Sequence, residues 1–435
     1  MMKIKLHAIA ILLFVFPLLA QANYTETMAA EGLEKNLGKD YNLVDDHAEN
    51  DQSEKVQHAI DDMADAGGGR LIIPKGTYSF RNIHLKSNVH LLIEKGAVIK
   101  PDWPVGDKIC VFTLHPESGA APDAFIENVS IRGLGGRWTV DYSDRFPRKG
   151  EGARAVICRM VRNFLIADLD VRDNYTVYCG LTLSPTSSRD PDAENWDVSR
   201  ATDGTIRNCR IFNGSPGYGL VQLHGAQNVH FENLYADGGV ALRLETGAGF
   251  LHTGVFNITA RNIVCENGRC AVMMGPHSAM NGKVTIENVK AIGCTYAVQL
   301  GQGGVKANAL KLNPNAKPGI FSKGSSIKNI HAVFGMNAQL KNASMQLIPE
   351  AYFKDLRLWY DNKFMSGPSI APVYDASEDQ YDVTLSLITA EGFTYNKDKK
   401  ILFPEDAREG KWAVTFKNWK SKYGTRETRR PVKGD

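Results

Sequence analysis

The 435 residues contain no Cys-x-x-Cys pair. The seven cysteines (Cys110, Cys158, Cys179, Cys209, Cys265, Cys270 and Cys294) therefore form no zinc or dithiol redox motif, and their odd number leaves at least one thiol unpaired. Cys209 and Cys265 fall at apolar positions of strand patterns and read as core residues. Excess charge is also lacking. Fifty-one Lys and Arg against 48 Asp and Glu give a net of +3, with no global field calling for nucleic acid. No apolar run beyond the N-terminus approaches spanning length, so no membrane partner is expected either. The Asp-x-Asp-Gly order of an EF-hand loop is absent.

What is present begins with a processing signal. Lys3 and Lys5 precede an apolar run from Ala8 to Leu19, and Ala20-Gln21-Ala22 supplies a small-x-small cleavage pattern. Residues 1–22 read as a signal peptide, and the protein is expected to be secreted, extracellular or periplasmic. Residues 23–67 hold an N-terminal segment and one helix, "SEKVQHAIDDMADA" (53–66). Its stripe is Val56, Ala59, Ile60, Met63 and Ala64, with Ser53 placed to cap it and Gly67 to end it. Residues 68–419 are assigned to one β-domain and 420–435 to a basic tail.

Within the β-domain a phrase recurs: "FLIADLDV", "TIRNCRI", "VHFENLYA", "ITARNIVC", "VTIENVKA", "SIKNIHAV" and "AYFKDLRL". Its polar residue falls at Asp168, Asn208, Asn233, Asn262, Asn288, Asn329 and Asp355. A base period near 25–29 residues is the mark of a solenoid, each coil burying its apolar face only by stacking on its neighbours. The recurring Asn is expected to stack into a hydrogen-bonded ladder at a bend. The opening, "GGGRLIIPKGTYSFRNIHLKSNVHLLIEKGAVIKP" after the helix, resembles the N-terminal cap and first coils of right-handed parallel β-helix enzymes and tailspikes. The fold expected is thus an all-β, right-handed parallel β-helix with an N-terminal capping helix.

A second strand type follows each phrase: "LTLS", "VQLHGA", "LRLETG", "VMMGPH" and "VQLGQG". Leu223, Leu244, Met274 and Leu300 point inward when these are stacked. Gln222, Arg243, Met273 and Gln299 form one outward column. His224, Glu245, Gly275 and Gly301 form the next, and Ala226, Gly247, His277 and Gly303 the third. Strands stack about 4.8 Å apart and same-face positions lie roughly 6.7 Å apart. Gln222, His224, Arg243, Glu245, His277, Gln299 and Gln302 would then converge on one patch of outer wall. Such amides and imidazoles around one Arg–Glu pair suit a groove for sugars, against the plainer reading of a solvated ion pair. Arg243 can act as a fork for a sulfate or carboxylate. Trp196, Tyr218 and Phe250 could stack on sugar rings. The acidic loop 184–204 (Asp190, Asp192, Glu194, Asp197 and Asp203) leaves room for a structural calcium ion, and no cofactor is expected.

"YGLVQLHG" (218–225), "GGVALRLETG" (238–247) and "CAVMMGPH" (270–277) resemble the central coils of ι-carrageenases. Those are secreted marine bacterial hydrolases that cut β-1,4 linkages of a doubly sulfated galactan with inversion. The resemblance implies Glu245 as proton donor, Gln222 as a residue holding the water and His277 on the substrate side. Arg243, His224, Gln299 and Gln302 are then the substrate-binding candidates. It also implies an aspartate base two residues after the donor, where this chain has Gly247. His277, placed about 8 Å from Glu245 by the two sheet spacings, and Asp203 are the substitute bases on offer. A sulfated, anionic polysaccharide is the expected partner of a monomeric protein. Three rivals stay open: a uronate lyase using Arg243 or Lys283, a pectin-type hydrolase and a non-catalytic carbohydrate-binding β-helix. No Asn-Thr-Asp or Gly-His-Gly, and no paired Asp-Asp within the coils, supports the pectin type.

Overall fold

The computed structural model describes residues 24–27, 32–121, 123–148, 150–185, 200–247, 253–312, 314–359 and 363–423. The expected signal peptide, most of the acidic loop with Trp196, and Phe250 lie outside the described residues. The capping helix spans Ser53–Asp65 and buries Val56, Ala59, Ile60 and Met63. Ser53 does not cap it. The hydroxyl instead accepts from Arg81 N at 2.8 Å, tying the helix to the first coil.

Parallel strands then wind into one 24-stranded sheet system. One stack runs from Gly69–Ile73 through Val89–Glu94, Ile126–Leu134 and Val161–Ala167. It continues through Val284–Ile292 and Ser326–Val333 to Thr384–Glu391. A second stack carries the candidate site. It runs through Leu181–Leu183, the end of Arg210–Leu223, the end of Ala226–Glu245, Cys270–Gly275, Tyr296–Leu300 and Val373–Asp375. The inward column is as expected: Leu223, Leu244, Met274 and Leu300 are all fully buried. Each such side chain contributes about 1.5–3 kcal/mol of transfer free energy. The solenoid is therefore an all-β, right-handed parallel β-helix, the hand that parallel crossovers take.

The Asn ladder forms. Asn208 donates to Asp168 at 3.0 Å, Asn233 to Asn208 at 3.0 Å, Asn262 to Asn233 at 2.9 Å, Asn288 to Asn262 at 3.0 Å and Asn329 to Asn288 at 2.8 Å. All six sit at positive φ, which Asn tolerates better than other L-residues. Asp355 is not a rung. It ends a short 3-10 helix, Glu350–Asp355, in an inserted segment built around a small antiparallel sheet. The true next coil is Thr384–Glu391, where register places Leu387 opposite Asn329. A second ladder, not foreseen, runs Asp203–Asn228–Asn257 at the other end of these strands.

No disulfide joins the seven cysteines, and six of them are buried. The C-terminal helix Trp412–Tyr423 runs across the expected boundary at 420. Buried Trp419 anchors it through Nε1 to Phe353 O at 2.8 Å. No described helix is long and apolar enough to cross a membrane.

Candidate functional site

Register confirms the first outward column: Gln222 pairs with Arg243, Arg243 with Met273 and Met273 with Gln299. In the next column Glu245 pairs with Gly275. The strand that carries Arg243 and Glu245 ends at Glu245, and this ending shapes the site. Beyond it the chain turns, so Gly247 is not a further outward position. Gly247 sits at φ 67°, and a Cβ there would lie 2.9 Å from Ser278 N and 3.0 Å from Ala279 N. Ala226 leaves the third column too, since it starts the long strand and pairs with Val255.

Glu245 gathers three side chains. Gln222 Nε2 donates to Glu245 Oε2 at 2.9 Å, and Arg243 forms an ion pair with the same oxygen. His277 Nε2 lies 3.4 Å from Oε1. A carboxylate only accepts, so Nε2 is the donor in that contact. The 8 Å separation expected for His277 is corrected by its backbone. The preceding strand stops at Gly275, and His277 adopts φ 44°. Its carbonyl accepts from both Gly304 N and Gly319 N at 2.6 Å. These bonds hold a left-handed, non-glycine residue that swings the ring back over Glu245.

His224 supports the site from the other side. Its Nδ1 lies 2.9 Å from the Glu245 backbone carbonyl. A carbonyl cannot donate, so Nδ1 carries the proton and Nε2 keeps its lone pair. Burial pushes the His224 pKa below its ordinary value, so the ring is neutral near pH 7. Tyr218 lies under the Arg243 guanidinium, 5.5 Å from ring centre to carbon, and Arg243 also donates to Gly217 O. That packing makes Tyr218 a support for Arg243.

The electrostatics of Glu245 are decisive for its chemistry. Burial works to raise its pKa, but the His277 hydrogen bond and the Arg243 charge outweigh it and hold the carboxyl at about 2. The free protein therefore presents a carboxylate here. On the C-terminal side the floor is open: a Cβ at Gly275 would meet nothing within 4 Å. That is the free space the glycine column called for.

Three candidates stand elsewhere. Gln299 lines a separate cavity with Arg269 and Lys341. Gln302 is exposed past the end of its strand, beside Gly303, which bridges to His277. Asp203 accepts from Asn228 at 3.0 Å as a ladder rung, which removes it as a substitute base. No cluster of three or more metal-type ligands occurs among the described residues. Sequence reasoning missed Arg269 and Lys341 because both lie outside the repeating phrase, in a turn and in an insertion.

No family model matches the chain. It is similar to two curated ι-carrageenases. One, from Alteromonas macleodii, is 34% identical over 61% of this chain and 53% of its own length. The other, from Zobellia galactanivorans, is 32% identical over 83% of each chain. A solved structure named 1,3-α-1,4-β-D-galactose-4-sulfate-3,6-anhydro-D-galactose-2-sulfate 4 galactohydrolase superposes with a TM-score of 0.80. It is 27% identical, over 94% of this chain and 97% of that one. The match spans about half of the first curated relative and most of the second and of the solved structure. With its coils, its Glu245 cluster and this extent of identity, the chain belongs to the ι-carrageenase family of glycoside hydrolases.

Proposed function

We propose that the protein is a secreted endo-hydrolase that cleaves β-1,4 linkages of a sulfated, ι-carrageenan-like galactan with inversion, and that Glu245 is its proton donor. The observation that carries this is the convergence of Gln222, Arg243 and His277 on one strand-borne carboxyl beside an open glycine floor. The names of the relatives supply the substrate class.

A donor must hold a proton when the bond breaks, yet the free Glu245 is ionised. The fork of Arg243 suits a sulfate oxygen pair as well as a carboxylate. A sugar sulfate that engages Arg243 would withdraw the charge that holds Glu245 down, and its pKa would return towards the range of a buried carboxyl. The substrate thus arms the acid. Inversion also needs a base about 6.5–9.5 Å from the donor with water between. His277 touches the donor carboxyl directly and does not meet that separation. His224, neutral and bonded through Nδ1 to the Glu245 backbone carbonyl, steadies the strand end that carries the donor, and Gln222 beside it is placed to orient the water.

The test is Glu245→Gln on purified protein against ι-, κ- and λ-carrageenan, agar, alginate and pectate, reading reducing ends and absorbance at 235 nm. Turnover on the sulfated galactan should fall by about 10³-fold or more with folding intact, since general acid catalysis contributes 10²–10⁴-fold and the acid cluster acts as a unit. Wild-type product absorbing at 235 nm would mean a lyase. Binding without either signal would mean a non-catalytic module.

A further inference from the structure

His277 owes its place over Glu245 to a junction made of backbone. Its carbonyl accepts from Gly304 N and Gly319 N, and its own backbone bridges to Gly303. The chains pass too close for side chains. A Cβ at Gly303 would fall 2.1 Å from Gly319 O, and one at Gly319 would fall 2.4 Å from Ala279 O. This close approach has a cost. Glycine is the most permissive residue, so a junction of glycines does not hold itself still. His277 meanwhile sits at φ 44°, a conformation that the surrounding structure must impose. The junction therefore needs support from outside.

The next coil supplies it. The strand Val373–Asp375 stacks on Tyr296–Leu300, and the chain then turns sharply. Asp375 Oδ1 accepts from Ser377 N at 2.9 Å and from Ser377 Oγ at 2.7 Å, which sets up the 3-10 turn Glu378–Gln380. This turn delivers two side chains to the junction. Gln380 Oε1 accepts from Gly303 N at 2.8 Å. Tyr381, only 7% exposed, donates its hydroxyl to Gly301 O at 2.5 Å. Burial pushes the Tyr381 phenol above its ordinary value, so it stays a donor. The ring also packs on Phe321, with centroids 5.6 Å apart. Phe321 lies in the short strand Ile320–Phe321, which pairs with Met280–Asn281 just after the His277 turn. Gln380 and Tyr381 thus hold both legs of the junction, 301–303 on one side and 320–321 on the other.

We propose that Gln380 and Tyr381 are positioning residues for the proton donor, acting through Gly301–Gly303 and the backbone of His277. The role of Glu245 as donor rests on the function proposed above, whereas the support of His277 does not. The route is short: Gln380 fixes Gly303, Gly303 bridges His277, and His277 Nε2 lies 3.4 Å from Glu245 Oε1.

The experiment makes Gln380→Ala, Gln380→Glu and Tyr381→Phe in the full-length mature protein, each also in a His277→Ala background. One readout needs no substrate. Glu245 is labelled by a water-soluble carbodiimide with glycinamide at one mildly acidic pH, and the label is located by peptide mass mapping. The reagent attacks the protonated carboxyl, and Glu245 is held at about 2 against its burial by the His277 bond and the Arg243 charge. Loosening His277 in Gln380→Ala should raise labelling about threefold or more, the effect of half a pKa unit. The other readout is kinetics on ι-carrageenan. Gln380→Ala should lower kcat about tenfold with KM within about twofold, because the donor carboxyl loses its aim while the substrate contacts remain. Gln380→Glu keeps an acceptor for Gly303 N and should recover most of the loss. Tyr381→Phe keeps the ring on Phe321 and should change both readouts in the same direction as Gln380→Ala. In the His277→Ala background none of these substitutions should move either readout by more than about twofold, whereas a merely structural role would act in both backgrounds. Gln380 is exposed, so its variants carry the test if Tyr381→Phe fails to fold. Unchanged labelling or unchanged kcat in Gln380→Ala overturns the proposal. So does an effect of equal size without His277. A wild type that cleaves no galactan would remove the hydrolase reading and leave the labelling to decide the support of His277. Cleavage with labelling equal in wild type and Gln380→Ala would do the reverse.

Discussion

At the scale of single residues, alternation and stacking were enough to bring Gln222, Arg243 and Glu245 together, because a strand with one buried face fixes side-chain direction with period 2. The same rule fails once the strand ends. Gly247 was counted as an outward position, but the turn after Glu245 puts it at φ 67° against the backbone of Ser278 and Ala279. Gly247→Asp should destabilise the protein by about 1–3 kcal/mol, from left-handed backbone cost and overlap, and should bring no gain in turnover. Thermal unfolding with parallel activity measurements would check it, and a more active variant of unchanged Tm would refute it. His277 was illegible for a related reason: its φ of 44° depends on carbonyl bonds to Gly304 and Gly319, residues that no local pattern links to it.

At the scale of the element, the phrase that repeats most regularly was also the most readable, and its one false match is instructive. "AYFKDLRL" fits the pattern and the spacing, but the insertion before Val373 carries it into a separate small sheet. The genuine coil "TLSLITAE" went unseen because Leu387 stands where Asn is expected. Leu387 holds φ 54° and is 62% exposed, a poor place for leucine. Leu387→Asn should extend the ladder from Asn329 and relieve the left-handed backbone, stabilising the last coil by about 1–2 kcal/mol. Chemical denaturation should show a raised midpoint at unchanged slope. The strand floor gives a second prediction. Gly275→Val starts from a Cβ that meets nothing within 4 Å, at a strand position where a β-branched residue is at home, so stability should change by less than about 1 kcal/mol. The added bulk would occupy the groove beside Glu245, and kcat/KM on the sulfated polymer should fall about tenfold or more. Unchanged kinetics would place the substrate elsewhere.

At the scale of the whole molecule, a solenoid couples each coil only to its neighbours, so its ends are where opening starts. The N-terminal coils carry a fastening that composition and periodicity could not reveal. Residues 24–27 cross four coils from outside: Thr25 exchanges hydrogen bonds with Asn163 at 2.9 and 2.7 Å, and Thr27 N donates to Asn128 at 3.4 Å. Glu26 pairs with Arg70 and, at 2.5 Å, with Arg132, on strands two coils apart. Beneath this strap His90 is fully buried, its Nδ1 shared between Tyr24 and Ser130. Burial works against the Glu26 charge, but the hydrogen bond and charge of Arg132 prevail and its pKa is lowered from 4.5. A depressed carboxyl stabilises the fold fully above its unfolded value and loses that contribution as pH falls through the folded value. His90, pushed down to about 4 by burial, acts in the same direction, since the unfolded chain takes up its proton between 6.5 and 4. The strap should therefore loosen progressively in acid from about pH 6.5 downward. Glu26→Gln should weaken it by about 1–3 kcal/mol at pH 7, because two arginines lose one shared acid. The gap between variant and wild type should shrink below pH 4.5 as Glu26 itself becomes protonated. Hydrogen exchange is the suitable probe, because the loss belongs to the first coils. Protection of Val89–Glu94 should fall at pH 7 while Cys270–Gly275 keeps its own, and a uniform loss along the solenoid would contradict a local fastening.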